Sequence, residues 1–406
     1  MSGSPKRSEA TGPVVPMLML TELFLPTKGG TAVWFDEVCR RLGDKEVQVV
    51  TAQVPGATGH DRNHPNRIRR VQLGRHPWLR PESLQMYWRL FAEGWKASAR
   101  GQVRVVHAGR GLPEGLVGLV IARARRVPLI VYAHGEEITT WTQPLKARFL
   151  REVYRRAQAV VANSRFTLGA LEGLGVDPER IHLVFPGVDL ARFHPGLAAS
   201  DLRAQVNCAG GRKLVLSVGR LSRRKGFDRV IEALPGLQRA GIDVAHAIIG
   251  IGEEEPHLRA LANRLGVADR VFFLGQVAAD DLPRWYNAAD VFAMPNRDVD
   301  GDTEGFGMVY IEAAACGRTS LAGLAGGTGD AVLDGETGLR VEGASSDAVE
   351  AALRRLLADD SLRDRLATRA LARARQEMGW DRVTAQTRAL HGKLGLDAQG
   401  ATGECV

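Results

Sequence analysis

Cysteine is scarce. Cys39, Cys208, Cys316 and Cys405 are the four thiols in 406 residues, and no two stand at the spacing of a zinc ligand pair or a redox motif. This excludes a disulfide-stapled secreted scaffold and predicts reduced thiols in a cytoplasmic protein. No run approaches the roughly 18 uncharged apolar residues of a membrane-spanning helix. The best stretch, residues 115–133, is broken by Arg123, Arg125 and Arg126. Residues 1–15 lack the apolar core of a secretory signal and read as a flexible tail. What remains is ordinary globular composition, 45% hydrophobic and 25% charged, with 46 Gly and 18 Pro dispersed as turns. The length allows two to three domains.

Charge is unevenly shared. Residues 1–190 carry 27 Lys and Arg against 17 Asp and Glu, whereas residues 191–406 carry 27 against 29. Such a basic half suits an anionic partner or surface, nucleic acid and anionic lipid among them.

Short apolar, β-branched runs alternate with amphipathic stretches. Strands are predicted near residues 16–20, 47–51, 103–108, 129–133, 159–163 and 182–185, with helices at 31–42, 113–125, 145–157 and 166–174. After an aperiodic, Pro- and Gly-containing stretch at 186–211 the pattern restarts. Strands at 214–218, 245–250, 271–274 and 291–294 then alternate with helices at 227–240, 254–265, 279–287 and 308–316. Alternation of this kind specifies parallel sheets covered by helices on both faces. The expected α/β architecture has two doubly wound domains. Residues 16–190 form the first and 191–377 the second, a helix at about 378–394 closes the chain, and residues 395–406 form a flexible tail.

In open parallel sheets, ligands bind beyond the carboxyl ends of the strands, and the polar motifs fall at those turns. Leu25-Pro26-Thr27-Lys28-Gly29-Gly30-Thr31 has two glycines that admit close backbone approach, but it fits neither a dinucleotide fingerprint nor a phosphate loop. Gly219-Arg220-Leu221-Ser222-Arg223-Arg224-Lys225-Gly226 opens the second half, where Arg220 and Lys225 combine a planar fork with a compact charge, a pairing suited to a diphosphate. Glu304-Gly305-Phe306-Gly307-Met308-Val309-Tyr310-Ile311-Glu312 spaces two carboxylates across a glycine-flanked helix start. The first N–H groups of that helix favour an anion, and the carboxylates suit polyol hydroxyls. Asp298, Asp300 and Asp302 fail the calcium-loop template, with Thr303 in the glycine position and Val309 in that of the closing Glu. They read as a solvated acidic loop, and no metal ligand is assigned. His134-Gly135 ends a strand facing the same cleft.

The set Gly29-Gly30, His134-Gly135, Asn163-Ser164, Pro186-Gly187-Val188-Asp189 with Phe193, Gly219-Arg220 with Lys225-Gly226, and Glu304 with Glu312 resembles the retaining glycosyltransferases of family four. The resemblance runs from about residue 16 to 390 and implies the GT-B architecture, two Rossmann-like domains facing across a donor cleft. It implies that Arg220 and Lys225 hold the donor diphosphate, that Gly29 and Gly30 close on it, and that Gly219 lines the same turn. Glu304 would meet hydroxyls of the transferred sugar, and Glu312 the nucleotide ribose. The backbone of Phe306, Gly307, Met308 and Val309 would cradle sugar and phosphate, Val277 would meet the base, and His134 would lie near the anomeric carbon. His134, Glu304, Arg220 and Lys225 are thus the implied catalytic group. Residues 379–382 resemble the helix that crosses back onto the first domain. Two departures stand out. Thr31-Ala32-Val33-Trp34 is apolar where many relatives carry a charge, and Thr319 replaces the usual Pro after Cys316-Gly317-Arg318.

The implied reaction is metal-independent hexosyl transfer from a nucleotide-diphosphate sugar, with no further cofactor, to a hydroxyl on a sugar, lipid or small molecule such as a glycan precursor. The stretch around 300–312 is similar to phosphatidylinositol mannosyltransferases, which ranks GDP-mannose ahead of UDP-glucose. A sugar-nucleotide epimerase on the same architecture and a basic nucleic-acid-binding protein are the alternatives. The first lacks the paired-Glu arrangement, and the second has no recognition motif, so no nucleic-acid partner is expected. Trp78-Leu79-Arg80 and the segment 86–96 combine three Trp with basic residues. Trp88, Phe91 and Trp95, at i, i+3 and i+7, read as a core-facing stripe. The alternative is an interfacial helix on an anionic membrane, with the protein at its inner face.

Overall fold

The computed structural model describes residues 14–74, 81–100, 102–141 and 143–396. Seven parallel strands form the first sheet: β1 (Met17–Leu20), β2 (Val47–Ala52), β3 (Arg67–Val71), β4 (Val105–Ala108), β5 (Leu129–Ala133), β6 (Ala159–Ala162) and β7 (Ile181–Leu183), in spatial order 3-2-1-4-5-6-7. Six more form the second: β8 (Lys213–Val218), β9 (Val244–Ile249), β10 (Val271–Gly275), β11 (Val291–Met294), β12 (Ser320–Gly323) and β13 (Gly338–Val341), in order 10-9-8-11-12-13. β1, β2, β4, β5 and β6 are buried along their whole length, as expected of parallel strands with helices on both faces. β3, with sequence Arg-Ile-Arg-Arg-Val, is a sheet edge, where charged side chains such as the exposed Arg67 discourage pairing with another chain.

The first lobe has one apolar core on each sheet face, and the second has a single large one. The chain crosses between lobes at residues 184–190 and returns near residue 378. The two crossings lie side by side, the Val188 N–H donating to the Met378 carbonyl at 2.7 Å. The final helix, Trp380–Lys393, then packs on the first lobe against the helix Gly30–Leu42. Trp380 is buried there over Gly187, where a Cβ would lie 2.6 Å from the ring. Two residues assigned from the sequence to tails are anchored in this core: Val15 beside β1 and Leu396 beyond the last helix are both buried. The rest of those tails, residues 1–13 and 397–406 with Cys405, lies outside the described residues. Cys39, Cys208 and Cys316 are buried free thiols.

The aromatic stripe is a correction. On the helix Pro81–Arg100, Ser83, Leu90 and Ala97 are buried, and Gly94 lies against Leu18, Leu20 and Ile121. Trp88, Phe91 and Trp95 sit one residue further round, about 100° away. Trp88 is 66% exposed, Phe91 is half-buried, and successive rings meet at a tilt with centroids 5.8 Å apart. Residues 78–80 of the same expectation lie outside the described residues.

Candidate functional site

Each sheet grows in opposite directions from its first strand, so β1/β4 and β8/β11 are its switch points, where the flanking turns diverge and leave a crevice. The turns that follow, residues 21–29 and 109–112 in one lobe and 219–226 and 295–307 in the other, face each other. Several contacts join the lobes. Thr139 Oγ1 donates to the Gly301 carbonyl at 2.7 Å, Lys28 meets Gln276, and the Arg165 N–H donates to Asp330 at 2.6 Å. Gly305 lies directly against the His134 carbonyl. A Cβ there would stand 2.1 Å from that oxygen, so a larger residue would prise the lobes apart.

The charged centre is built by a single turn of 3-10 helix, Arg223–Lys225, which turns two cations inward onto one carboxylate. Lys225 Nζ donates to Glu304 at 2.5 Å and Arg224 at 2.7 Å, while Arg224 also pairs with Asp302 at 3.2 Å. Lys225 is buried and Glu304 nearly so. Burial pushes the Glu304 carboxyl up, but Lys225 and Arg224 outweigh it and hold the group at about 2. Arg297 supports the turn from behind, donating its N–H to the Arg224 carbonyl at 2.8 Å and pairing with Asp228 at 2.9 and 3.0 Å. Gly307 follows with φ of +88°, a left-handed conformation that glycine adopts without penalty. From there starts the helix Met308–Ala315, with Gly307 as its N-cap. Glu312 lies about one turn inside, as its spacing predicts.

Other expected residues are arranged differently. Arg220, 74% exposed at its side chain, turns to Glu253 at 3.0 Å and does not join Glu304; Arg224 occupies that place. Arg220, expected to hold the donor diphosphate with Lys225, is thus paired with Glu253, and Arg224 is the cation that joins Lys225 on Glu304. Glu312 accepts from the buried Tyr286 hydroxyl at 2.7 Å, and burial raises its carboxyl against that bond. Gly219 abuts the Lys225 side chain, and Val277 is half-buried just after β10. Phe306 is buried and stacks on Phe185 at 5.7 Å, while Met308 and Val309 are half-buried.

On the first lobe, Gly29 caps the helix Gly30–Leu42, and a Cβ on Gly30 would lie 2.7 Å from Met308 Sδ. His134 is buried. Its Nε2 donates to the Gly109 carbonyl at 2.9 Å and its main-chain N–H to Glu137 at 2.9 Å. Burial lowers its basicity more than Glu137 restores it, so the ring is neutral with Nδ1 as its acceptor.

Beside this centre opens a cavity of about 490 Å³, whose lining includes Glu22, Tyr87, Arg110, Glu136, Trp141 and Lys146, with Asp302 contributed by the second lobe. Lys146 stands 3.7 Å over the Trp141 ring. Beneath Arg110 lies buried Glu114, raised by burial to about 7 against the pull of that guanidinium. None of the cavity's first-lobe residues follows from the sequence, because each comes from a different connection and no local motif marks it. Asp302, expected in a solvated loop, is half-exposed between Arg224 and this cavity.

Two family models cover most of the chain: "Glycosyltransferase Family 4" over residues 28–192 and "Glycosyl transferases group 1" over 199–373. A GDP-mannose-dependent alpha-(1-6)-phosphatidylinositol monomannoside mannosyltransferase of Mycolicibacterium smegmatis is 34% identical, spanning 84% of this chain and 89% of its own length. A D-inositol 3-phosphate glycosyltransferase of Salinispora tropica is 32% identical over 90% and 81%. Anabaena HepE, solved with UDP and glucose, superposes with a TM-score of 0.79 at 22% identity, covering 93% of this chain and 99% of HepE. With a family match across both lobes and that superposition, the chain belongs to the family 4 glycosyltransferases of GT-B fold.

Proposed function

We infer that the chain transfers a mannosyl group from GDP-mannose, with retention of anomeric configuration, to a hydroxyl of a phosphorylated inositol acceptor carried on a lipid. The observation that carries this reading is the buried Lys225–Glu304–Arg224 cluster at the mouth of the helix Met308–Ala315. Asp302 balances Arg224 from its far side, so a diphosphate would be met by the Lys225 ammonium beside Glu304 and by the N-terminus of that helix. Arg220 completes the set on donor binding, since an exposed ion pair such as the one with Glu253 is worth only about 0.2–1 kcal/mol.

In the reaction, the bond between the anomeric carbon and the β-phosphate oxygen breaks with its electron pair passing to the diphosphate. The acceptor oxygen bonds to that carbon on the same face, and its proton passes to the departing phosphate. Lys225, Arg224 and Arg220 stabilise the charge that develops on the leaving group, a role that needs no metal. Glu304 stays ionised and clamped by two cations, which favours its holding sugar hydroxyls rather than acting as a covalent nucleophile. Glu312 would meet the ribose and Val277 the base. The backbone of Phe306–Val309 and Gly29–Gly30 would close around phosphate and sugar, Gly219 lines the same turn, and His134 would lie near the anomeric carbon.

Donor and acceptor classes are supported by the relatives' names, GDP-mannose in one and inositol phosphate in both. The cavity fits such an acceptor: Glu22, Glu136 and Asp302 accept from hydroxyls, Trp141 offers a face to a ring, and Arg110 and Lys146 suit a phosphate. Its two flanking helices expose Leu84 and Trp88 on one side and Leu145 and Phe149 on the other. That apolar rim favours a lipid-linked acceptor over a free one and contact with the inner, anionic face of a membrane. No described helix is long and apolar enough to cross it.

The test is direct. GDP, UDP and ADP, each with its sugars, are compared by thermal shift, where a ligand at about 100 times its Kd adds about 2.7 kcal/mol. The reading expects stabilisation by GDP and GDP-mannose, and an α-mannoside by NMR when a phosphoinositide acceptor is supplied. Stabilisation by UDP alone, or a β-linked product, contradicts it.

A further inference from the structure

Behind the Gly29–Gly30 turn, Asp36, His60 and His64 converge from two separate segments. Asp36 lies on the helix Gly30–Leu42, while His60 and His64 stand four residues apart at the end of the helix Ala57–Arg62. Asp36 Oδ1 is 2.8 Å from His60 Nε2 and 3.2 Å from His64 Nε2, and the three atoms lie within 4.8 Å of one another. Asp36 and His64 are 0% and 1% exposed at their side chains, and His60 16%. Despite these distances, none of the three atoms has a well-directed hydrogen bond. Close, buried and mutually misaligned, they instead surround a point between them.

The surroundings are those of a ligand set. Asp61 accepts at 3.0 Å from His60 Nδ1, fixing the tautomer that leaves Nε2 with a lone pair, and is itself held by Arg70 at 2.7 Å. Arg40 takes the far oxygen of Asp36 and leaves Oδ1 facing the rings. Phe24 packs edge-on against both imidazoles, with centroids 6.0 and 5.6 Å apart, and keeps the spot apolar.

We propose that Asp36, His60 and His64 bind one divalent transition-metal ion, with the nitrogen-and-oxygen donor set that suits zinc. The ion clamps the segment 57–66 to the helix Gly30–Leu42. It thereby braces the base of the donor-side turn, to which Arg70 is already tied through the Leu25 carbonyl at 2.5 Å. One contact must relax on binding. The Asn66 N–H now faces His64 Nδ1 at 3.2 Å, and a ring bound through Nε2 carries its proton on Nδ1.

The experiment uses the full chain, stripped with chelator and titrated with Zn²⁺ by calorimetry and with Co²⁺ by visible absorption. One equivalent is expected to bind, with cobalt d–d bands of a four- or five-coordinate site and a shifted Asn66 amide resonance. Asp61→Asn, which removes only the support of His60, should weaken binding about 10–100-fold. His64→Ala should abolish it. Should that buried variant fail to fold, His60→Ala at the more exposed position should abolish it instead. Absence of a bound equivalent in the wild-type chain overturns the proposal, as does wild-type binding by either folded alanine variant.

Discussion

At the residue scale, the three charges Lys225, Arg224 and Glu304 dominate. Removing one partner of a buried, hydrogen-bonded charge cluster leaves the others uncompensated, at about 3–5 kcal/mol. Glu304→Ala is therefore expected to lower both transfer and thermal stability, with added GDP restoring part of the stability by taking over the two cations. A differential scan with and without nucleotide checks this, and an unchanged melting temperature contradicts it. Acid should act on the same residue scale. Burial holds His246 at about 3 and, with help from His391, His107 well below its ordinary value. As pH falls below about 6.5 the unfolded chain takes up these protons and the folded one does not. Stability should then decline by up to about 1.4 kcal/mol per pH unit for each histidine, for His246 until about pH 3. Glu304, depressed to about 2, contributes stability above about 4.5 that disappears as pH falls through that range. Urea midpoints from pH 7 to 4 measure the sum, and a flat profile contradicts it. The sequence held each of these side chains but not their orientation. Arg220 and Arg224 are four residues apart and chemically identical, and the turn Arg223–Lys225 alone selects which faces Glu304. Asp36, His60 and His64 match no spaced motif because the fold, not the chain, brings them together.

At the element scale, most strands were legible because parallel strands buried on both faces must be continuously apolar. β3 was not, since an edge strand reading Arg-Ile-Arg-Arg-Val imitates a basic loop, and β12 and β13 are four residues each. The helix Pro81–Arg100 shows how periodicity misleads when two apolar stripes adjoin: Leu90 and Ala97 make the core, leaving Trp88 outward. If that surface meets a membrane, Leu84→Ser with Trp88→Ser should reduce co-sedimentation with anionic vesicles while leaving the melting temperature nearly unchanged. Equal pelleting by wild type and variant contradicts this. The last helix depends on Trp380, whose truncation to Ala should cost about 3–5 kcal/mol in urea unfolding.

At the scale of the whole molecule, two lobes meet along backbone rather than side chains at Gly305, so their closeness is set by the absence of a Cβ. Gly305→Ala is expected to lower kcat/KM more than stability, because it separates the charged turn from His134 without touching either core. A variant whose stability falls while its turnover is unchanged would contradict that. The GT-B architecture was readable from the restart of the strand-helix pattern. The acceptor cavity was not, since it is assembled from separate connections of the first lobe and closed by Asp302 of the second. The most direct measurement is the kcat/KM of Lys225→Ala for mannosyl transfer from GDP-mannose. A fall of about 10²–10³ in a folded variant is the predicted result, and turnover equal to that of the wild-type chain would contradict the account.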